Sequence, residues 1–568
     1  MRRLFAFALT TVAMTGIAAA SPKLAPDLDG HRRGASVDVI VQFKTSPGAK
    51  SHAAIQSRGG TLHATLPLVR AASYSLPFDA LEALAADPNV AYVSPDRPVT
   101  ATLDYATRAA QADLASISYG LDGTGIGVAV IDSGIADIPD LHTPSYRVVY
   151  SQTFVKGKEV KDTYGHGTHV AGILAGNGKN STGSGYLRTF KGMAPGVSIV
   201  SLRVLDGTGQ GTESSVIAAI QKAVALKSTY NVRVINLSLG RRVHESFKTD
   251  PLCQAVEAAW KAGIVVVVAA GNEGRDDSMG TDGYGTIGSP ANDPYVITVG
   301  ATKTLRTLGR SDDIVASYSS KGPTSIDHIV KPDLVASGNR VVSLYKAGFT
   351  LSNLHPENGV AYGYYKVGGN TTASSTYFTL SGTSMSAPLV SGAVALMLQK
   401  TPSLTPDQVK ARLMKTAYKA FPPLSTTLDP VTGAVYTTHH DVFTMGAGAL
   451  DLLAALQNQE LFVGRALSPT AIYDAVTHTV HLASTEPVVT GGTAVWGDTA
   501  VWGDTAVWGD TAIWGDTAVW GDTAVWGDTT SVGFTALWGD TAIWGDSAVG
   551  GDDSIGPASD AITIRGED

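Results

Sequence analysis

Between residues 125 and 300 the chain repeats one rhythm. A short run that is apolar at nearly every position gives way to a longer stretch with apolar residues at helical spacing. The runs at 125–131, 198–204, 232–238, 263–270 and 295–300 are rich in Val and Ile. Continuous apolar runs fit parallel strands covered on both faces. The stretches 169–176, 213–226 and 251–262 read as helices between them. Strands alternating with helices predict an α/β fold with a doubly wound, mostly parallel sheet. Ligands of such sheets bind outside the carboxyl ends of the strands. Asp132, Ser238 and Asn272 each fall at the C-terminal end of a predicted strand, so chemistry is expected along that edge.

The pattern differs on either side of this region. Residues 37–43 (Val-Asp-Val-Ile-Val-Gln-Phe) alternate as a half-buried strand does, 78–85 reads as an amphipathic helix, and 87–93 returns as a strand. A small α+β unit with its core at 36–99 is expected. Before it, Met1-Arg2-Arg3, an apolar stretch at 4–17 and Ala18-Ala19-Ala20 have the form of a secretory signal cut after Ala20. That stretch is too short to span a membrane comfortably as a permanent helix. The expected organisation is therefore a signal at 1–20, a small N-terminal unit within 21–105, an α/β domain at 106–460 and a tail at 461–568.

Charge sharpens the last boundary. Residues 466–568 hold fifteen acids and one base, Arg565, so this stretch carries −14 of a total of −8, and the remainder is +6. The acidity belongs to the tail. No basic cluster points to nucleic acid. The one cysteine, Cys253, excludes an intramolecular disulfide and reads as a small buried apolar residue.

The tail is a repeat. From Thr493 six copies of Thr-Ala-Val/Ile-Trp-Gly-Asp run to Asp528, and degenerate and intact copies continue to Asp552. Eight of the nine tryptophans lie here, so the pattern and not the average composition is notable. In an extended chain an even period puts every Trp on one side. Gly-Asp turns between four-residue strands would instead stack as a ladder. A low-complexity tether is the competing reading. An aromatic stripe with one acid per repeat suggests binding to glycans, a cell surface or divalent ions.

The chemistry-bearing motifs are three. Val128-Ala129-Val130-Ile131-Asp132-Ser133-Gly134 comes first, then Gly165-His166-Gly167-Thr168-His169-Val170-Ala171-Gly172, then Gly382-Thr383-Ser384-Met385-Ser386-Ala387-Pro388. The last precedes an apolar run at 389–398 that reads as a buried helix. A hydroxyl at a helix N-terminus sits in a positive end-field, but it acts as a nucleophile only with a base at hand. In this order, with Asn272 as a fourth element, the motifs resemble the subtilisin-like serine proteases (subtilases), and residues 251–264 resemble a bacterial alkaline branch of that family. The resemblance covers roughly residues 110–460.

That resemblance implies Ser384 as nucleophile, His166 as general base and then acid, and Asp132 as its orienting partner. It implies Asn272 as the oxyanion-hole amide beside the Ser384 N–H. His169, three residues along the helix, reads as a packing residue, since no nearby Glu or Cys completes a zinc set. A peptide substrate would lie as an added strand along edges containing Gly207 and Gly209, and Ser238, Leu239 and Gly240, close to Gly271. Gly288, in Ile287-Gly288-Ser289-Pro290, resembles the base of the first specificity pocket and is expected to leave room for a large P1 side chain. Glu273 at its rim would disfavour acidic ones. The implied partners are protein or peptide substrates and the chain's own pro-segment as an intramolecular inhibitor. No cofactor is required for the chemistry. Structural calcium is common in the family, with Asp140 as the candidate ligand, although the loop at 177–191 carries no acid.

These features lead to a secreted serine endopeptidase of broad specificity made as a self-inhibited zymogen, extracellular or at the cell surface. An idle subtilase-like body that displays the tail is the alternative from another class. An esterase using the same triad would be expected to carry Gly-x-Ser-x-Gly, and the serine motif here lacks it.

Overall fold

Val37, Val39, Val41 and Phe43 all point to one face of the first strand, β1 (Ser36–Phe43), while Ser36 and Asp38 face water. The alternation seen in the sequence is thus the pleat of a sheet with one covered face. A computed structural model of the chain describes residues 23–24, 28, 35–66, 70–95, 106–143, 145–278, 280–305, 307, 309–429, 433–474, 479–483 and 567. They form two units, one within residues 1–100 and one within 101–568.

In the first unit, β2 (Thr61–Leu66), β3 (Ala71–Pro77), β1 and β4 (Val90–Pro95) pair in that order as an antiparallel sheet. Ile55 of helix α1 (Ala49–Gln56) and Leu81 and Leu84 of α2 (Leu81–Ala85) pack onto its apolar face. The helix α1 and strands β2 and β3 were not evident from the sequence. β2 is largely exposed and α1 buries only Ile55, so neither carries a clear apolar period.

The second unit is built on an eight-stranded sheet. Its strands are β5 (Gly127–Asp132), β6 (Val148–Thr153), β7 (Ser198–Arg203), β8 (Val232–Leu237), β9 (Val265–Ala269), β10 (Ile297–Lys303), β11 (Ile314–Val315) and β12 (Leu334–Ser337). The order is β11-β10-β9-β8-β5-β7-β6, with β12 also paired to β10, and only β11 is antiparallel. All five apolar runs named from the sequence are strands of this sheet. The chain lays β6 and β7 on one side of β5 and then crosses to β8 on the other. That reversal opens a crevice at the carboxyl ends of the central strands.

Helices α3 (His166–Ala175), α4 (Glu213–Ala225), α5 (Pro251–Lys261) and α6 (Thr383–Lys400) surround the sheet. Thr212 caps α4 and Asp250 caps α5 through side-chain oxygens, which satisfies N–H groups that the first helical turn leaves open. α6 is buried over almost its whole length and packs against α3, β8 and β10. A helix apolar all round belongs in the middle of a large core.

The packed body continues past residue 460. Ala466 and Ala471 join a second apolar cluster with Val442, Phe443 and Met445, and Thr470–Asp474 pairs with Thr479–Ala483. The signal stretch at 1–20 and the hexapeptide repeats at 493–552 lie outside the described residues.

Candidate active site

Asp132 ends β5 and His166 begins α3, and the two side chains meet. Nδ1 of His166 lies 2.9 Å from Oδ1 and 3.0 Å from Oδ2 of Asp132, with both residues buried. A ring nitrogen facing a carboxylate carries the proton, which fixes the tautomer and leaves Nε2 as the basic atom. Close packing requires glycine beside them, because a Cβ on Gly167 would meet the Gly134 carbonyl at 2.3 Å and the Asp132 side chain at 3.1 Å.

Asp162, which the sequence reading did not single out, builds this corner. Its Oδ1 accepts from Gly165 N at 2.8 Å, Tyr164 N at 3.0 Å and Ser133 Oγ at 2.9 Å. Its Oδ2 accepts from Thr168 N at 3.0 Å and Thr168 Oγ1 at 2.6 Å. Ser133 Oγ in turn accepts from Gly167 N at 2.9 Å. One carboxylate thus ties the turn before His166 to the turn after Asp132. Burial pushes the Asp162 carboxyl upward, and these donors oppose that shift.

Ser384 is the second residue of α6. Its hydroxyl donates to the Ser238 carbonyl at 3.2 Å, and Ser238 Oγ donates to the Ser384 carbonyl at 2.9 Å. Behind this pair Asn236 Nδ2 donates to Ser238 Oγ at 3.0 Å, and Ser391 Oγ donates to Asn236 Oδ1 at 2.8 Å. This buried chain fixes the backbone of β8 to α6. Asn236 and Ser391 are also contributors that the motifs did not reveal.

Asn272 follows β9 and is buried. Its Oδ1 accepts from Thr383 N at 2.9 Å and Thr383 Oγ1 at 3.1 Å. With the carbonyl end held so, Nδ2 is directed to Gly382, where a Cβ would stand 3.0 Å from it. Gly382 itself has φ +137°, a region that favours glycine. Thr383 Oγ1 also accepts from Gly271 N at 3.1 Å. The serine turn and the Asn272 loop are therefore stitched together through Thr383.

The expected cleft residues have individual reasons to be where they are. Gly209 has φ +84° and would press a Cβ on the Tyr164 ring at 2.7 Å, and the Gly207 carbonyl accepts from Thr350 Oγ1 at 2.7 Å. Leu239 is buried in the main core. Gly240 and Gly288 lie where the 241 and 289 backbones pair, with N···O distances of 2.9 and 2.7 Å. A Cβ on Gly288 would meet the Arg241 carbonyl at 2.8 Å, so this close backbone approach accounts for the glycine without reference to the P1 side chain. Gly271 has φ +112°, and a Cβ there would meet Ser320 Oγ at 2.6 Å. The Glu273 N–H donates to the same hydroxyl at 3.1 Å, and burial raises the Glu273 carboxyl while Arg242 opposes it. His169 is buried against the Phe378 carbonyl at 3.1 Å, and burial lowers it to about 3, so it stays neutral.

Asp140 does not present itself as a calcium ligand. Its Oδ1 accepts from Tyr377 Oη at 2.7 Å and its Oδ2 from Asn180 N at 3.1 Å. Burial raises its carboxyl. A calcium site gathers six to eight oxygens, whereas Asp140 is surrounded by hydrogen-bond donors. Among the described residues no group of three or more His, Cys, Asp or Glu is placed to hold a metal. The residues present do not fit a cation at this point.

A buried Asp–His pair at the start of one helix, and a serine near the start of the helix packed against it, on the carboxyl edge of a mostly parallel sheet, fit the class of serine hydrolases. Residues 123–448 match the Subtilase family. The chain belongs to that family and is a serine endopeptidase. It is 38% identical to serine protease AprX of Bacillus subtilis (strain 168) over 57% of this chain and 69% of the relative. It is 34% identical to subtilisin E of the same organism over 66% of this chain and 84% of the relative. An alkaline protease of Shouchella clausii is 32% identical over 62% of this chain and 74% of the relative.

Proposed function

We propose that Ser384 Oγ attacks the scissile carbonyl while His166 Nε2 takes its proton, and that Asp132 holds the ring and offsets its charge. The observation that carries this reading is the Asp132–His166 pair at the start of α3, packed against the helix that Ser384 begins. The oxyanion that forms is received by Asn272 Nδ2 and the Ser384 N–H. Neighbouring N–H groups are already used, Thr383's by Asn272 Oδ1 and Met385's by the Gly382 carbonyl. His166 then protonates the leaving amine, and water repeats the sequence on the acyl-enzyme.

The substrate lies along Gly207, Gly209, Ser238, Leu239, Gly240 and Gly271 as an added strand, which binds main chain without demanding a sequence. Broad specificity follows, with large uncharged or basic P1 residues favoured because Glu273 repels acidic ones. Cleavage of a randomised peptide library should show that preference, and dominance of Asp or Glu at P1 would sink it.

The chain is exported by its first twenty residues and inhibited by the unit at 36–99 until the connection is cut. Ala106 and Ala110 are buried in the main core, and the Ala110 carbonyl accepts from Leu452 N at 3.1 Å. Of the stretch from about 99 to 111 where a cut is expected, the part before Ala106 is therefore favoured. Among the described residues no helix is long and apolar enough to cross a membrane. Treatment with a fluorophosphonate and peptide mapping tests the nucleophile: the adduct belongs on Ser384 alone, and labelling elsewhere, or none in active enzyme, rejects the assignment.

A further inference from the structure

Past the repeats, Glu567 is buried in the catalytic body, 93 residues beyond Asp474. Its carboxylate meets a complete set of donors. Oε2 lies 2.7 Å from Arg275 Nη2 and 2.5 Å from Ser317 Oγ, and Oε1 accepts from Ser317 N at 3.0 Å. Lys303 Nζ stands 3.9 Å from Oε1. Asn339 reads the backbone of the same residue twice, with Nδ2 donating to the Glu567 carbonyl at 2.7 Å and Oδ1 accepting from its N–H at 2.9 Å.

Such a set is selective. Two cations and a backbone N–H recognise a carboxylate, and a side-chain amide recognises the backbone N–H and carbonyl of the residue that bears it. The donors also have support of their own. Arg275 Nε donates to Ser317 Oγ at 2.7 Å, its Nη1 pairs with Asp429 at 2.7 Å, and its guanidinium lies 4.3 Å over the Tyr436 ring. Asp429 pairs with one side of the Arg275 guanidinium and Glu567 with the other, and buried Lys303 adds a second positive charge, so the socket favours an anion.

Its position matters. Arg275 follows Asn272 by three residues, and Gly274 N donates to the Tyr318 carbonyl at 2.8 Å next to Ser317. Asn339 follows Gly338, whose carbonyl accepts from Gly382 N at 2.9 Å. The socket thus lies where the loop bearing Asn272 and the turn before Ser384 are backed by the same segments.

We propose that Arg275, Lys303, Ser317 and Asn339 form a recognition site for an acidic residue, read through its carboxylate and its own backbone N–H and carbonyl, and that Glu567 of this chain is its occupant. The tail is then held at both ends. Ser468 Oγ donates to Asp333 Oδ1 at 2.6 Å on one side, and Glu567 enters the socket on the other.

Hydrogen exchange on the full chain bearing Ser384→Ala, which prevents self-digestion, tests this directly. Glu567→Lys should speed exchange of the peptide covering 314–320 at least tenfold and leave the one covering 166–175 unchanged. An excess of a synthetic peptide of residues 560–568 should restore protection to that variant, and the same peptide with Glu567→Gln should not. Equal exchange at 314–320 with and without Glu567→Lys overturns the proposal. So does a peptide that fails to restore protection, or that restores it equally well without the carboxylate. These outcomes are independent of the triad, which is disabled throughout.

Discussion

Asn272 uses the two ends of its amide for different work. The carbonyl end is fixed on Thr383, and the N–H end is the group proposed to receive the developing oxyanion. Asn272→Ala is expected to lower kcat by about 10²–10³-fold with little change in KM, the size found for the equivalent amide in subtilisin. A loss carried mainly by KM would argue against the role. Gly382→Ala should do similar harm through a different cause, since its Cβ would crowd Nδ2 at 3.0 Å. Asp293 offers a test of stability alone. It is buried, accepts from Tyr295 N at 2.8 Å, and is raised to about 8, mainly by burial and then by Glu257. A carboxyl whose folded pKa is raised contributes stability that is complete below about pH 4 and lost as pH rises through about 8. Asp293→Asn in the Ser384→Ala background should therefore be more stable than its parent at pH 9, by on the order of a few kcal/mol, and differ little at pH 4 or below. A gain of equal size at pH 9 and at pH 4 would refute the protonation argument.

At the scale of elements, the start of α3 depends on Asp162. Removing a buried carboxylate that accepts five hydrogen bonds leaves those donors unsatisfied. Asp162→Ala should cost roughly 3–5 kcal/mol in a denaturant titration of the Ser384→Ala chain, and a change below about 1 kcal/mol would show that the turn is held otherwise. Asp140→Asn should destabilise to the same extent with calcium or with a chelator present, because Tyr377 and Asn180 and not a cation satisfy the carboxylate. A penalty seen only with calcium would restore the metal reading.

Elements differ in how plainly the sequence announces them. The central strands are legible because both their faces are covered, so most of their positions are apolar. β6 was not, since its residues lie partly exposed toward the sheet's edge. α3 begins three residues earlier than its apolar period suggests, because Gly165-His166-Gly167 has poor helix propensity and is held by Asp162 instead. Asp132, His166, Ser384 and Asn272 stand out as candidates because motif residues lie together in sequence. Asp162, Asn236 and Ser391 act across the fold, where no local pattern marks them.

For the whole molecule, two parts of the chain meet the catalytic body from outside its central sheet. The stretch from Ala106 is embedded in the core, and Glu567 is embedded on Arg275. A mature enzyme should therefore begin at a residue between about 99 and 106. The comparison that bears most directly on the account is wild type beside Ser384→Ala, each expressed as the full chain and followed by intact mass and casein hydrolysis. The account predicts that the wild type loses its N-terminal segment within that window and digests casein, while the variant keeps the segment and is inactive. Casein hydrolysis by purified Ser384→Ala at the wild-type rate would contradict it.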